Sequence, residues 1–160
     1  MKLFDYSFVR IMALFFMCVA IGNAPIYSQA TKYVLFEHFT QASCGPCASQ
    51  NPGFQDDILA ENVGAVHHIA YHTSWPGVDP MNAYNPTENA DRVTYYGVSG
   101  VPAIQMLGKY WTGSPAGVSQ SMVNSETSKG SPIKILVSET SDGTNRYVEV
   151  VVHTVGTPPS

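Results

Sequence analysis

Two cysteines close together, Cys44 and Cys47 in Cys44-Gly45-Pro46-Cys47, are the residues best placed to do chemistry. They follow the apolar run Thr31 to Phe39 and open a segment with helical spacing. A thiol at a helix N-terminus faces unpaired backbone N–H groups and the positive end of the helix dipole, and both favour the thiolate. The thiolate is the nucleophile of disulfide exchange, and this placement lowers a thiol pKa of ~8.5 by one to several units. Cys47, one turn further on, lies close enough to attack a mixed disulfide formed on Cys44 and release the product. Pro46 supplies a helical φ near the helix start without wasting a donor. Two other uses of the pair are weaker. A disulfide across two residues closes a tiny loop and restrains the unfolded chain little. Structural zinc needs four ligands, and the His68/His72 spacing would have to supply two of them. On a strand those two histidines lie ~13 Å apart, too far to share one metal, so no metal site is expected.

Elements that hold the pair in place can be read around it. The run Thr31–Phe39 lacks strict alternation, as in a strand covered on both faces. Residues 45–61 keep helical spacing through Cys47, Phe54, Ile58 and Leu59, with a kink expected at Pro52. Ala65 to His72 reads as a second strand. Asn85-Pro86-Thr87-Glu88 reads as a capped helix start, with Ala90, Val93 and Tyr96 along one face and Glu88 pairing with Arg92. Ala103–Leu107 is a third strand, and a short fourth at Tyr110-Trp111 follows a turn at Gly108-Lys109. Ser114–Ser128 reads as a last helix. Strand and helix alternate, which predicts an α/β fold. From Gly130 the pattern changes to two β-rich runs, Ile133–Glu139 and Tyr147–Val155, around the turn Ser141-Asp142-Gly143-Thr144. Residues 130–160 are therefore expected to open an all-β segment that continues further. Docking of this hairpin on the first domain is the alternative.

The chain has 160 residues, 44% hydrophobic, with 8 basic and 12 acidic side chains and a net charge of −4. No basic face of the kind that binds nucleic acid is expected from this balance. Three cysteines are an awkward count for a disulfide-stapled exported protein. The first thirty residues resolve it, since Lys2 and Arg10, the apolar run Ile11–Ile21 and Ser28-Gln29-Ala30 have the layout of a secretory signal peptide. That run is too short to span the ~30 Å core of a bilayer. An uncleaved anchor is the alternative, because Asp5 is unusual in the basic segment. Lipid attachment at Cys18 is excluded by bulky Phe16-Met17 before it. Cleavage after residue 30 removes Cys18 and leaves 6 basic and 11 acidic groups. The mature protein is expected to have no transmembrane span and to lie in the periplasm, at the outer membrane or outside the cell.

A second feature joins a helix to the third strand: Tyr96-Gly97-Val98-Ser99-Gly100-Val101-Pro102-Ala103. A proline opening a buried strand after a β-branched residue and two glycines predicts a cis bond at Val101–Pro102. With Cys-Gly-Pro-Cys after an apolar strand, and Pro52 five residues beyond the second cysteine, the sequence resembles the thioredoxin superfamily over residues 31–129. VLFEHFT and YHTSWPGVDPM are similar to exported bacterial members, some of them outer-membrane proteins that continue into a β-sandwich. The resemblance implies a thioredoxin-like fold, a central mixed sheet flanked by helices, followed here by the start of a β segment. It also implies an attacking Cys44, a resolving Cys47 and a redox-active disulfide between them in place of any bound cofactor. Pro102 would lie against the pair, and the backbone of Val101 would pair with an extended substrate. Protein thiols or disulfides and an unnamed redox partner are the implied partners.

The chain also departs from that family. Ser43 stands where thioredoxins have Trp, and Trp75, in the loop after the second strand, is the aromatic that would cover the site. The buried carboxylate that moves protons in thioredoxins has no clean counterpart, so Glu37 and His38 are both candidates for proton transfer. No Lys or Arg occurs between Lys32 and Arg92 to steady a thiolate. His67 and His68 read as ordinary strand residues, and His72 and Asp79 fall near the site without a defined role. The sequence thus points to a thiol–disulfide oxidoreductase. The alternative is a non-catalytic surface module whose Tyr84, Tyr95, Tyr96 and Tyr110 serve binding.

Overall fold

A computed structural model describes residues 29–156. The leader expected over residues 1–30, Cys18 included, lies outside the described residues but for its last two, as do residues 157–160. Four strands, β1 (Val34–Thr40), β2 (Val66–His72), β3 (Ala103–Met106) and β4 (Trp111–Gly113), form one mixed sheet in the order β2-β1-β3-β4. Strand β1 pairs parallel with β2, Val34 opposite Val66 through Thr40 opposite His72, and antiparallel with β3, Phe36 opposite Met106. A parallel neighbour on one side and an antiparallel one on the other leave β1 no open edge.

Period-two alternation sends successive β1 side chains to opposite faces. Val34, Phe36 and His38 face helix α1 (Gly45–Phe54), where Phe36 meets Phe54 edge to face at 5.3 Å. Val34, Phe36, Phe54, Ile58, Ile104, Met106, Val118 and Val123 make up the core on this side. Two further helices are α2 (Pro80–Tyr84) and α3 (Pro86–Tyr96). Helix α3 covers the other face, with Phe39 stacked on Tyr71 at 5.3 Å and edge-on to Tyr96 at 5.8 Å. The result is a mixed α/β architecture, its sheet flanked by helices, consistent with a thioredoxin-like fold.

Helical residues run on past α1 as a π turn over Gln55–Leu59 and a 3₁₀ turn over Ala60–Asn62. The π turn begins three residues after Pro52, whose missing N–H breaks the regular ladder. The last helix is shorter than the sequence suggests. Pro115–Gly117 form a 3₁₀ turn and only Gln120–Thr127 are α-helical (α4). Between them Val118 and Ser119 are extended, at φ −76°, ψ 134° and φ −126°, ψ 154°, which interrupts the helix. A second expectation fails at Arg92, which pairs with Glu37 of β1 rather than with Glu88. Glu88 instead accepts from the Asn85 side chain, so Asn85 does not cap the helix N–H groups.

Strands β5 (Ile133–Ser141) and β6 (Arg146–Thr154) form a separate two-stranded antiparallel sheet. Its turn is closed by Asp142, whose Oδ1 accepts from the N–H groups of Thr144 and Asn145 at 2.9 and 2.7 Å. Every residue of both strands is exposed.

Candidate active site

Cys44 is the N-cap of α1, with extended backbone at φ −79° and ψ 112°, and its Sγ accepts the N–H of Cys47 at 3.1 Å. Gly45 and Pro46 form the exposed first turn. The helix carries no acidic residue in its first turn and no base in its last, so its own N-terminal dipole acts on the sulfur unopposed. Cys44 and Cys47 are joined by a disulfide, their Cα atoms 5.2 Å apart, and are 4% and 2% exposed. Across the sheet, the Val101–Pro102 peptide bond is cis and the carbonyl oxygen of Val101 lies 3.5 Å from Cys44 Sγ. The turn before β3 therefore presents its backbone to the Cys44 sulfur.

Two loops meet at the disulfide. The segment before it is folded by Gln41, whose side-chain oxygen accepts from both the N–H and the hydroxyl of Ser43 at 2.6 and 2.8 Å. The loop after β2 is fastened to it by Asp79. One oxygen of Asp79 accepts from Ala42 N–H at 2.8 Å and lies 2.7 Å from His72 Nδ1, while the other caps Met81 and Asn82 of α2 at 2.8 and 3.1 Å. Burial alone would raise the pKa of this carboxyl, but the bonds from His72 and the three backbone N–H groups hold it down at about 2. Gly77 of the same loop passes so close that a Cβ there would stand 2.4 Å from Ser43 Oγ. Half-buried Trp75 sits in this loop, and the Trp75–Pro76 bond is also cis.

Beneath the disulfide a cavity of about 470 Å³ opens between α1 and β2. Its lining includes both cysteines, Asn51 and Phe54 of the helix, His38 of β1, and His68 and His72 of β2. Nε2 of His38, Nε2 of Gln41 and Oδ1 of Asn51 are buried without hydrogen-bond partners. Burial first, then the nearby His68, lowers the His38 pKa to about 4, with Asn51 opposing. Burial also lowers His68.

The two proton-transfer candidates are thus separated by the strand's alternation. His38 shares the cavity with the cysteines, whereas Glu37 is on the α3 face and is not part of the lining. Glu37 is 2% exposed and accepts from Arg92 Nε at 2.6 Å and from the Tyr96 hydroxyl. Burial first and then that bond to Glu37 raise the Tyr96 pKa to about 12. Trp75 and Pro102 are likewise absent from the cavity lining, and His67 turns to the opposite face, 5.2 Å from the Tyr33 ring. Among the described residues no group of three His, Cys, Asp or Glu side chains is arranged to hold a metal ion. The same residues include no helix long and apolar enough to cross a membrane.

Asp79, Asn51 and His68 are members of the site that sequence reasoning left without a role. Asp79-Pro80 carried a readable signal, a good N-cap followed by proline at the first helical position. Alternation along β2 could have put His68, Ala70 and His72 on one face.

No family model and no curated protein matches the chain. Among solved structures it is similar to HBP35 of Porphyromonas gingivalis, at 17% identity and a TM-score of 0.51, over 70% of this chain and 38% of that one. The chain therefore matches well under half of that protein's length, and a likeness at this identity is one of fold.

Proposed function

We propose that the protein is an exported thiol–disulfide oxidoreductase of the thioredoxin superfamily that acts on protein thiols or disulfides through Cys44 and Cys47. The observation that carries this reading is Cys44 at a helix N-cap, its sulfur bonded to Cys47, receiving the Cys47 N–H and lying 3.5 Å from the Val101 carbonyl oxygen. In the reduced protein the Cys44 thiolate attacks a substrate disulfide and expels one thiolate. Cys47 then attacks Cys44 and expels the other, closing the Cys44–Cys47 bond. Run backwards, the same steps oxidise a dithiol. Val101, with its backbone beside the sulfur and Pro102 next to it, pairs with an extended substrate segment, and Gly45 and Pro46 form the rim. Trp75 is the aromatic of the neighbouring loop that contacts the substrate. Gly-Pro between the cysteines resembles the reducing members, near about −270 mV. A reductant outside the cytosol draws electrons from a redox partner, and the leader over residues 1–30 supports a place in the periplasm, at the outer membrane or outside the cell. Residues 130–160 are the opening of a further β unit, a reading supported by the exposure of both faces of β5 and β6.

A second reading, a non-catalytic surface module with a resting disulfide, is favoured by the burial of both cysteines and by the exposure of Tyr84, Tyr95 and Tyr110 at 92%, 62% and 59%. One experiment separates the two. Cys47→Ala is expected to accumulate mixed disulfides on Cys44 with envelope proteins, and Cys44→Ala to accumulate none. If the Cys47→Ala protein forms none and its Cys44 titrates like a free thiol near ~8.5, the enzyme reading is lost.

A further inference from the structure

Strand β5 has one unpaired edge, and the bonds at its two ends show which residues face it. The Pro132 carbonyl accepts from Val155 N–H at 2.8 Å, and Asp142 N–H donates to the Asn145 carbonyl at 3.2 Å. Between them the register with β6 is continuous, from Ile133 opposite Thr154 to Ser141 opposite Arg146. Backbone groups point to alternate edges along a strand. Lys134, Leu136 and Ser138 therefore bond to β6, while Ile133, Ile135, Val137 and Glu139 face away from it. On this outer edge Ser131 already has an antiparallel partner, Ala30, which donates to it at 2.9 Å and accepts from it at 2.7 Å. The Ser131 hydroxyl caps Ile133, accepting from its N–H at 3.1 Å and donating to its carbonyl at 2.8 Å. The backbone groups of Ile135 and Val137 on that edge have no hydrogen-bond partner among the described residues.

A cavity of about 1180 Å³ lies along the same edge. Residues 133–137 line it in succession, as the edge of a strand does and a single face does not. Tyr33 and His67 of the α/β unit also border it. Its lining includes Lys32 and Lys134 and no Asp or Glu, in a chain with a net charge of −4. Lys32 and Lys129 share the one carboxylate of Glu126, which leaves that corner positive.

We propose that this groove takes an extended segment of a partner polypeptide as an antiparallel third strand on β5. Ile135 and Val137 hold its backbone. Its apolar side chains lie opposite Ile135 and Val137, and an acidic one lies opposite Lys134. Ala30 marks the first rung and the direction, and a cut after residue 30 removes it and lengthens the free edge to Ser131. Strand β5 runs from Ile133 to Ser141 without a proline or a bulge, so its backbone turns no further strand away. A second copy of the hairpin suits the groove less well, since it brings two strands to a space that Tyr33 and His67 also border. Further strands of the same β unit have the outer edge of β6 to join.

The test titrates the whole protein with a capped, fluorescent peptide of sequence Thr-Val-Thr-Val-Glu-Val-Thr, read by anisotropy and by amide exchange. Saturable binding is expected, with exchange slowed about tenfold or more at Ile135 and Val137 and unchanged at Lys134 and Leu136, whose N–H groups already bond to β6. Methylating the amide nitrogens of the first two valines, which face β5, should abolish binding. Ile135→Pro should weaken it about tenfold by removing one edge donor. Lys134→Glu should weaken it about fivefold, and Lys in place of Glu in the peptide should restore it. If Ile135→Pro unfolds the hairpin, the methylated peptide and the charge swap decide. The proposal is overturned if the whole protein leaves the peptide unbound, whether the chain before Gln29, strands after Val155 or a second copy fills the edge. Binding that tolerates the methylated valines overturns it as well. Cys44→Ala should bind the peptide like the native protein, so this result and the exchange function stand or fall separately.

Discussion

Strand β1 and the hairpin β5–β6 are both rich in β-branched and aromatic residues, and they end in opposite surroundings. Val34, Phe36 and Phe39 of β1 are 0% exposed, whereas Val137, Val148 and Val152 of the hairpin are 66%, 60% and 61% exposed. The difference is one of position. Strand β1 has β2 and β3 at its sides, α1 and the core on one face and α3 on the other. Each hairpin strand has one neighbour and no covering layer among the described residues. Full burial of a side chain such as Val or Phe contributes about 1.5–3 kcal/mol, and exposed ones contribute little. Apolar composition alone therefore does not say where a core is, because sheet position decides which residues leave water. The α/β unit that presents Cys44 must be stabilised by its own interior.

The sharpest way to break this contrast is to cut into its buried side. Phe36→Ala removes the ring that meets Phe54 and should cost about 3–5 kcal/mol in urea unfolding; a cost under about 1 kcal/mol would mean that β1 is not the centre of the stability. Acidification should produce the next largest effect. The pKa of His38 in the folded protein, about 4, lies below its unfolded value near ~6.5, so the unfolded chain binds more protons between the two. Stability should be complete above about pH 6.5 and fall by up to about 3 kcal/mol towards about pH 4. In His38→Gln that part of the loss should vanish from urea midpoints measured across the range.

Asp79→Ala should cost about 2 kcal/mol through the lost cap and the lost Ala42 bond, and should speed amide exchange at Ala42. The carboxylate's contribution persists above the unfolded value of ~3.9 and fades as the pH falls through about 2. Smallest of all, Val148→Thr on the hairpin should shift stability by less than about 0.5 kcal/mol. A cost there equal to that of a core residue would show that the hairpin is covered in solution.

Much of the site was legible because it depends on near neighbours in the chain. Strand, cysteine pair and helix are contiguous, and a mostly apolar run without strict alternation sufficed to mark β1 as covered on both faces. Glu37 and His38 could not be told apart in the same way. Alternation guarantees that they face opposite sides, but which side holds the cysteines depends on where α1 packs. Arg92 illustrates a similar limit. Glu88 is the better partner by spacing along the helix, yet Glu37 is buried, and an unpaired buried carboxylate costs far more than an unpaired surface one. Helix α2 has five residues, too few for a hydrophobic period, so only its cap, Asp79, could announce it. The late start of α4 was hidden because it follows extended backbone at Val118 and Ser119, which no spacing rule in Ser114–Ser128 marks.

The close pass of Gly77 over Ser43 has a consequence for how these two positions can vary. A neighbouring loop approaches to where a single methyl added at Gly77 would meet the Ser43 oxygen at 2.4 Å. Small size at 43 and the absence of a side chain at 77 are then one adaptation written at two sites. Gly77→Ala alone should disturb the residue next to Cys44, and pairing it with Ser43→Gly should restore what the single change takes away. Homologues with an aromatic before the first cysteine should have moved, shortened or lost this loop.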